Sequence, residues 1–144
     1  MSECNGNMVQ WQYIVKKEFA ELIAVNAWLD DFVYYISACT EPDFIDTIDM
    51  QDRYYRKALE CLDKWVHYNK YLPKDTVQRI ANTLKYLAEL AIVFANEESE
   101  EIELAEILRS ISDLAEFARI VSIISVWEKV REKYMDVSID HTIA

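Results

Sequence analysis

A single glycine in 144 residues is the strongest constraint on the fold of this chain. Globular proteins average about 7% glycine, because hairpin turns, β-bulges and phosphate-binding loops need its positive φ angles. Here the glycine is Gly6, and the prolines are Pro42 and Pro73. The composition therefore predicts a few long helices joined by short connections. It excludes sites that depend on glycine, such as the P-loop, the dinucleotide fingerprint and the nucleophile elbow.

The length and the apolar content indicate one domain without a membrane anchor. The chain is 52% apolar, which is too apolar for a disordered protein. No apolar run approaches the ~20 residues that cross a bilayer, and the N-terminus lacks the pattern of a secretory signal. Cys4, Cys39 and Cys61 are odd in number and have no ligand-like spacing. These features predict a cytoplasmic protein, in the host cytoplasm if the chain is viral.

Apolar residues recur at helical spacing in four stretches of the sequence. The stretches run from Trp11 to about Ala38, from Ile48 to Leu72, from Val77 to Phe94 and from Ile102 to about Met135. They predict an all-α, single-domain antiparallel four-helix bundle over residues 1–144, with loose tails at 1–9 and 137–144. The β-branched run at 120–126 has a lower helix propensity than its flanks. A break there, which would give five helices, is an open alternative.

Capping signals place the predicted helix ends. Thr40 followed three residues later by Asp43 is typical of a helix N-terminus, and so is Asp75 followed by Gln78. Asn96 is expected to end the third helix. The sequence thus predicts connections near residues 40, 73 and 97.

The charge is strongly negative and unevenly distributed. The chain has 26 acidic and 15 basic residues, a formal net charge of −11. Two runs, 41–52 and 97–106, contain acidic residues and no lysine or arginine. In the first run, four aspartates at i+3 spacing are expected to form one stripe along the second helix. The predicted partner-binding carboxylates are Asp43, Asp46, Asp49, Asp52, Glu97, Glu98 and Glu101.

Aromatic residues supply a second set of candidate contacts. The chain has nine tyrosines and four tryptophans, and exposed rings of both types are typical binding anchors. Trp28 and Tyr35 are predicted to lie with Ala20, Ala24 and Ala27 on a second apolar strip of the first helix. In the adjacent pairs Tyr34–Tyr35 and Tyr54–Tyr55, one ring is expected to face the core and the other to point outward or into a second interface.

Catalytic and metal-binding patterns are weak. Glu98–Glu101 and Glu103–Glu106 have the ExxE spacing that resembles the magnesium site of MazG-type all-helical nucleotide pyrophosphohydrolases. The ExxD motif that should follow it is lacking. Di-iron bundles need Glu-x-x-His twice, and neither His67 nor His141 has a glutamate at that position. The sequence predicts no catalytic residue, no metal site and no cofactor.

Taken together, these patterns predict a non-enzymatic, acidic helical binding protein. Negative charge along a rigid helix imitates nucleic acid and repels DNA and RNA themselves. The size, acidity and helical class are similar to those of bacterial immunity proteins and of phage- or virus-encoded inhibitors that occupy a basic channel of a nucleic-acid enzyme. The expected partner is a protein with a basic surface. The alternatives are a self-assembling virion or filament subunit, with the two-faced first helix and the apolar segment 117–127 as contact surfaces, and a MazG-like enzyme. Homo-oligomerisation is compatible with each.

Overall fold

The fold is an all-α bundle of four helices. The computed structural model describes the backbone of residues 2–41, 47–97 and 101–143 and the side chains of residues 10, 12–41, 47–97, 102–133 and 135. The helices are α1 (Ser2–Thr40), α2 (Ile48–Tyr68), α3 (Lys74–Ala95) and α4 (Glu101–Ile143). The described residues contain no strand. The predicted fold class is confirmed.

The helices are held together by a common apolar core. Each helix contributes residues at spacings of three and four, so that one side of each cylinder is buried. The largest fully buried side chains are Trp65, Phe32, Leu22, Leu29, Ile36, Leu84, Ile111, Val126 and Val130. Burial of one such side chain stabilises the fold by about 1.5–3 kcal/mol. The core is therefore the main source of stability.

Polar contacts show that neighbouring helices run antiparallel. Lys70 Nζ donates to Glu21 at one end of the α1–α2 pair, and Gln51 Nε2 donates to the Cys39 carbonyl at the other. Between α1 and α4, Lys133 reaches Glu18 and Arg119 reaches Asp30. In both pairs of helices, residues later in α1 thus contact residues earlier in the other helix, which is the pattern of antiparallel packing. Among the described residues α2 and α4 have no close backbone approach, so these two helices lie on opposite sides of the bundle.

The α1–α2 connection differs from its prediction. Thr40 is still in α1, and its hydroxyl donates to the Ile36 carbonyl at 3.0 Å, inside its own helix. The N-cap of α2 is Thr47, whose side chain accepts from Met50 N at 3.1 Å. The predicted capping role of Thr40 is wrong, because a buried threonine at the end of a helix can bond the preceding turn instead of the following helix.

The α2–α3 connection is also built differently. Asn69 ends α2, and its Oδ1 accepts from the backbone N–H groups of Tyr71 and Leu72. Pro73 occupies the N-cap position of α3 without a side-chain cap. Asp75 forms an ion pair with Arg79 at 3.1 Å. The predicted Asp75–Gln78 capping box is therefore wrong, whereas Asn96 does end α3.

Helix α4 is continuous from Glu101 to Ile143, so the alternative of a break at 120–126 is wrong. The β-branched residues cost only tenths of a kcal/mol each in helix propensity, and burial of Val126 within this run offsets that cost. Helix α1 likewise begins at Ser2. Helical backbone therefore extends over 2–9 and 137–143, where the sequence predicts loose tails.

Candidate interaction surfaces

The first candidate surface is the end of the bundle where α1 ends, α2 begins and α3 ends. Gln51 of α2, only 8% exposed, forms hydrogen bonds with the ends of both other helices. Its Nε2 donates to the Cys39 carbonyl at 3.0 Å and to Asn96 Oδ1 at 3.1 Å. Two acidic runs that are far apart in the sequence are thereby brought to one end, which we call the acidic end.

The acidic end carries exposed carboxylates from different helix termini. Glu41, Asp49, Asp52 and Glu97 are all exposed. Asp49 and Asp52 lie in the first turns of α2, and Asp52 pairs with Arg56 at 2.9 Å. An exposed pair of this kind contributes about 0–1 kcal/mol. Most of the described negative charge at this end thus remains open to a partner.

The predicted four-aspartate stripe on α2 is wrong in that form. Because α2 begins at Ile48, Asp43 and Asp46 precede the helix. Both fall outside the described residues, as does Glu98. Glu101 is the first residue of α4, but its side chain is not among those described. The described part of the predicted set is therefore Asp49, Asp52 and Glu97.

Few positive charges are available to neutralise the acidic end. The sequence has no lysine or arginine in 18–52 or in 86–108. Lys57 lies one turn beyond Arg53 on α2, with its Nζ 5.8 Å from the Tyr35 ring centroid and 5.9 Å from that of Tyr54. The described C-termini of α1 and α3 therefore contribute carboxylates and no lysine or arginine, whereas the first turns of α2 carry basic residues as well as Asp49 and Asp52.

Trp28 and Tyr35 lie on a different surface, the seam between α1 and α2. Both are half-buried. Lys64 Nζ lies 4.4 Å from the Trp28 ring centroid, and the Tyr35 ring stacks on Tyr54 at 6.1 Å. Such cation–π contacts contribute about 0.5–1 kcal/mol at exposed sites. These two rings therefore help to join α2 to α1, and the structure does not bring them to the acidic end.

The two adjacent tyrosine pairs differ in where the second ring lies. Tyr34 is 64% exposed and Tyr35 is half-buried, as expected for neighbours about 100° apart on a helix. Tyr54 and Tyr55 are both half-buried, and the Tyr54 ring stacks on Tyr35 in the seam between α1 and α2 and does not point outward.

The third surface is the outer face of α4, opposite its buried residues. Within 117–127 five large apolar side chains are exposed: Phe117 53%, Ile120 47%, Ile123 45%, Ile124 52% and Trp127 51%. Ile23 of α1, 70% exposed, extends this surface. Its position follows from two α1–α4 contacts on either side of it, Phe19–Trp127 with ring centroids 6.2 Å apart and Arg119–Asp30 at 2.6 Å.

A buried ionic cluster between α1 and α4 has no counterpart in the sequence predictions. The Glu18 side chain is 4% exposed and lies 2.5 Å from Lys133 Nζ and 3.4 Å from Lys129 Nζ. The hydrogen bond from Lys133 lowers the pKa of the Glu18 carboxyl below its ordinary value, although burial acts in the opposite direction. The sequence gives no indication of this ion pair, because Glu18 and Lys133 are 115 residues apart.

A pocket of about 460 Å³ lies between α1 and the α2–α3 connection. Its lining is Glu21, Ala24, Val25, Trp28, Tyr68, Lys70 and Tyr71. Lys70 and Glu21 form an ion pair at 2.5 Å. Burial raises the pKa of the Tyr71 phenol. The pocket is mainly apolar, and its residue types suit an apolar side chain more than a polar metabolite.

Nucleophilic and metal-binding chemistry finds little support in the described residues. Cys39 and Cys61 are free and buried, and burial raises the pKa of Cys39 to about 12. Ser110 and Ser122 donate to their own i−4 carbonyls, whereas Ser125 donates to the Tyr71 carbonyl. Across the described side chains, no group of three or more His, Cys, Asp or Glu residues could hold a metal ion. Glu103 and Glu106 are simply exposed on α4.

Comparisons with known proteins give no further indication of function, so the function has to be inferred from these surfaces. No protein-family model matches the chain, and comparisons with curated proteins and with solved structures give no significant match. As far as the helices are described, none has an apolar stretch that is long enough to cross a bilayer.

Proposed function

We propose that this protein is a non-enzymatic binding module whose acidic end docks on a basic protein surface, such as the channel of a nucleic-acid enzyme. The observation that carries the proposal is the pair of hydrogen bonds from Gln51, which gather the two acidic runs at one end of the bundle. Helical backbone holds the carboxylates of Asp49 and Asp52 at fixed spacing. A rigid acidic surface loses little conformational entropy on binding.

The net charge supports the same proposal. At −11, the chain attracts basic surfaces at long range and repels nucleic acid, so its effect on binding should lie mainly in the association rate. The buried free thiols Cys39 and Cys61 fit a reducing, cytoplasmic location.

The test compares two variants with equal charge. One neutralises the acidic end through Glu41→Gln, Asp49→Asn, Asp52→Asn and Glu97→Gln. The control neutralises four exposed carboxylates elsewhere, through Asp31→Asn, Glu60→Gln, Asp63→Asn and Glu132→Gln. Both variants carry four fewer negative charges, so a difference between them reports the position of the charge and not its amount.

The probes are purified nucleases and polymerases with basic clefts, immobilised for kinetic measurements between low and high salt. We expect at least one to bind the parent protein in competition with duplex DNA. The association rate should fall about tenfold or more for the acidic-end variant and much less for the control. Equal losses for both variants, or an unchanged salt dependence, would contradict the proposal.

A self-assembling structural subunit is the second candidate. The specific observation in its favour is the exposed apolar segment 117–127 on α4, because contiguous apolar patches of this size are typical of protein interfaces. Assemblies that grow without limit as concentration rises, seen by light scattering, would favour this candidate over the binding module.

A further inference from the structure

The outer face of α4 has a regular register. Asp113, Phe117, Ile120, Ile124, Trp127 and Arg131 follow one another at steps of four, three, four, three and four residues. This is the a/d spacing of a coiled coil, and all six side chains are exposed. The residues that face the core, such as Ile111, Ala118 and Val126, lie on the opposite side of the same helix. Helix α4 thus has one apolar seam facing the core and a second facing solvent.

The second seam is large enough for a specific contact. Whole apolar side chains of this size have areas of roughly 150–250 Å². The four apolar residues of the seam, together with Ile23 and Ile123 beside it, have exposed fractions that amount to on the order of 600 Å² per chain. Two copies of this wider surface, packed together, bury at most roughly twice that area, at the lower end of the range for specific interfaces.

The spacing of residues along the seam is the same in both directions. The steps are symmetric about Ser122, and the ends of the seam have opposite charge, Asp113 at one end and Arg131 at the other. Neither of these residues forms an ion pair with any described side chain. Arg119, the charged residue between Phe117 and Trp127, is already paired with Asp30.

We propose that the occupant of this seam is a second copy of the chain. The two copies are related by a twofold axis that crosses the seam at the level of Ser122, midway between Ile120 and Ile124. Antiparallel packing of the two α4 helices places Ile120 opposite the partner's Ile124 and Phe117 opposite the partner's Trp127. Asp113 then lies opposite the partner's Arg131, and symmetry repeats each contact. A parallel pair would instead place like charges together at both ends, which is unfavourable. An isologous contact of this kind closes at two subunits.

The dimer does not depend on the acidic end. The seam lies in the middle of α4, whereas the acidic end is formed by the C-termini of α1 and α3 and the N-terminus of α2. Failure of either proposal therefore leaves the other intact.

Sedimentation velocity of the full-length protein across a concentration series is the test. The parent chain should pass from monomer to dimer and form nothing larger. The double variant Ile120→Glu/Ile124→Glu should remain monomeric, while the control Tyr86→Glu/Val93→Glu, on exposed apolar positions of α3 (60% and 51%), should dimerise as the parent does. Helix content by circular dichroism and unfolding at low concentration check that each variant folds.

A charge exchange tests the antiparallel arrangement. Asp113→Arg alone and Arg131→Asp alone each place like charges opposite one another and should weaken dimerisation roughly three- to tenfold at low salt. The double variant Asp113→Arg/Arg131→Asp restores opposite pairs in reverse and should recover the parent affinity. A monomeric parent at all concentrations, a dimer that survives Ile120→Glu/Ile124→Glu, open-ended assembly, or a double charge variant no better than the single ones would overturn the proposal.

Discussion

Helices α2 and α4 have similar inner faces and different outer faces. Both bury residues of the common core, among them Leu62 and Trp65 on α2 and Ile111 and Val126 on α4. The exposed positions of α2 from Asp49 to His67 are predominantly charged, whereas those of α4 from Phe117 to Trp127 are predominantly apolar. A charged outer face is satisfied by water. The outer face of α4 becomes more stable when apolar contacts cover it, which is why we place the second copy of the chain on α4 and not on α2.

The two helices are also fixed to α1 by different ion pairs. Lys70, just after α2, pairs with Glu21 in an exposed position, with side chains 57% and 37% exposed. Lys129 and Lys133 of α4 pair with Glu18, whose side chain is 4% exposed. Exposed pairs contribute little, whereas the buried Glu18 carboxylate relies on Lys129 and Lys133, themselves 45% and 42% exposed, to offset the cost of its burial. The α1–α4 pair should therefore be the more sensitive one.

Truncation of the inner faces should have the largest effect. Leu62→Ala on α2 and Ile111→Ala on α4 should each lower the free energy of unfolding by about 2–5 kcal/mol, because each leaves a cavity in the core. Ile124→Ala, at a position that is 52% exposed, should change it by less than about 1 kcal/mol in the monomer. Urea denaturation at low protein concentration gives these values. Similar costs for Ile111→Ala and Ile124→Ala would remove the distinction between the two faces of α4.

Loss of the buried carboxylate should have the next largest effect. Glu18→Gln should lower the free energy of unfolding by about 1–3 kcal/mol at neutral pH, because it removes the negative charge that pairs with two lysines. The matched control Glu21→Gln should have a smaller effect, since its ion pair is exposed.

The pH dependence of this difference has a definite sign. Because the pKa of Glu18 in the folded protein lies below its ordinary value of 4.5, the carboxylate stabilises the fold above that pH. The contribution is lost as the pH falls through the folded pKa. Denaturation curves of parent and Glu18→Gln should thus converge in acid, and a gap that is constant between neutral and acidic pH would contradict the assignment.

The sequence predicted what depends on local spacing. Apolar periods of three and four residues identified the helices and much of the core, because a helix repeats over few residues. The choice of cap was not predictable in this way. Thr40 and Thr47 are both suitable N-caps by type, and burial of Cys39 and Thr40 against the bundle decides where α1 ends.

Contacts between distant segments were beyond the sequence for the same reason. The Glu18 cluster and the two hydrogen bonds of Gln51 join residues from different helices, and spacing says nothing of such pairs. The acidic runs were visible in the sequence, but their meeting at one end depends on the antiparallel packing. The sequence shows 117–127 as an apolar segment, but it does not show which of these residues face solvent. That distinction requires the buried residues of α4, which the structure supplies.

The smallest expected effects come from charged residues on the outer surface, and their sign should depend on position along a helix. Asp49 lies in the first turn of α2, where the helix dipole favours a carboxylate, and Glu97 follows Asn96, the C-cap of α3, where the dipole disfavours one. Asp49→Asn should therefore lower the free energy of unfolding by about 0.3–1 kcal/mol, and Glu97→Gln should raise it by a similar amount. Both changes relieve repulsion within the acidic end, which adds a small stabilising contribution to each and makes the Glu97→Gln gain the larger in magnitude.

The measurement is urea denaturation at low and high salt, since screening with a length of about 8 Å at physiological ionic strength should shrink both differences. Equal, stabilising effects of both substitutions would mean that repulsion at the acidic end outweighs the helix dipoles, and the outer face of α2 would then be under electrostatic stress that water does not relieve.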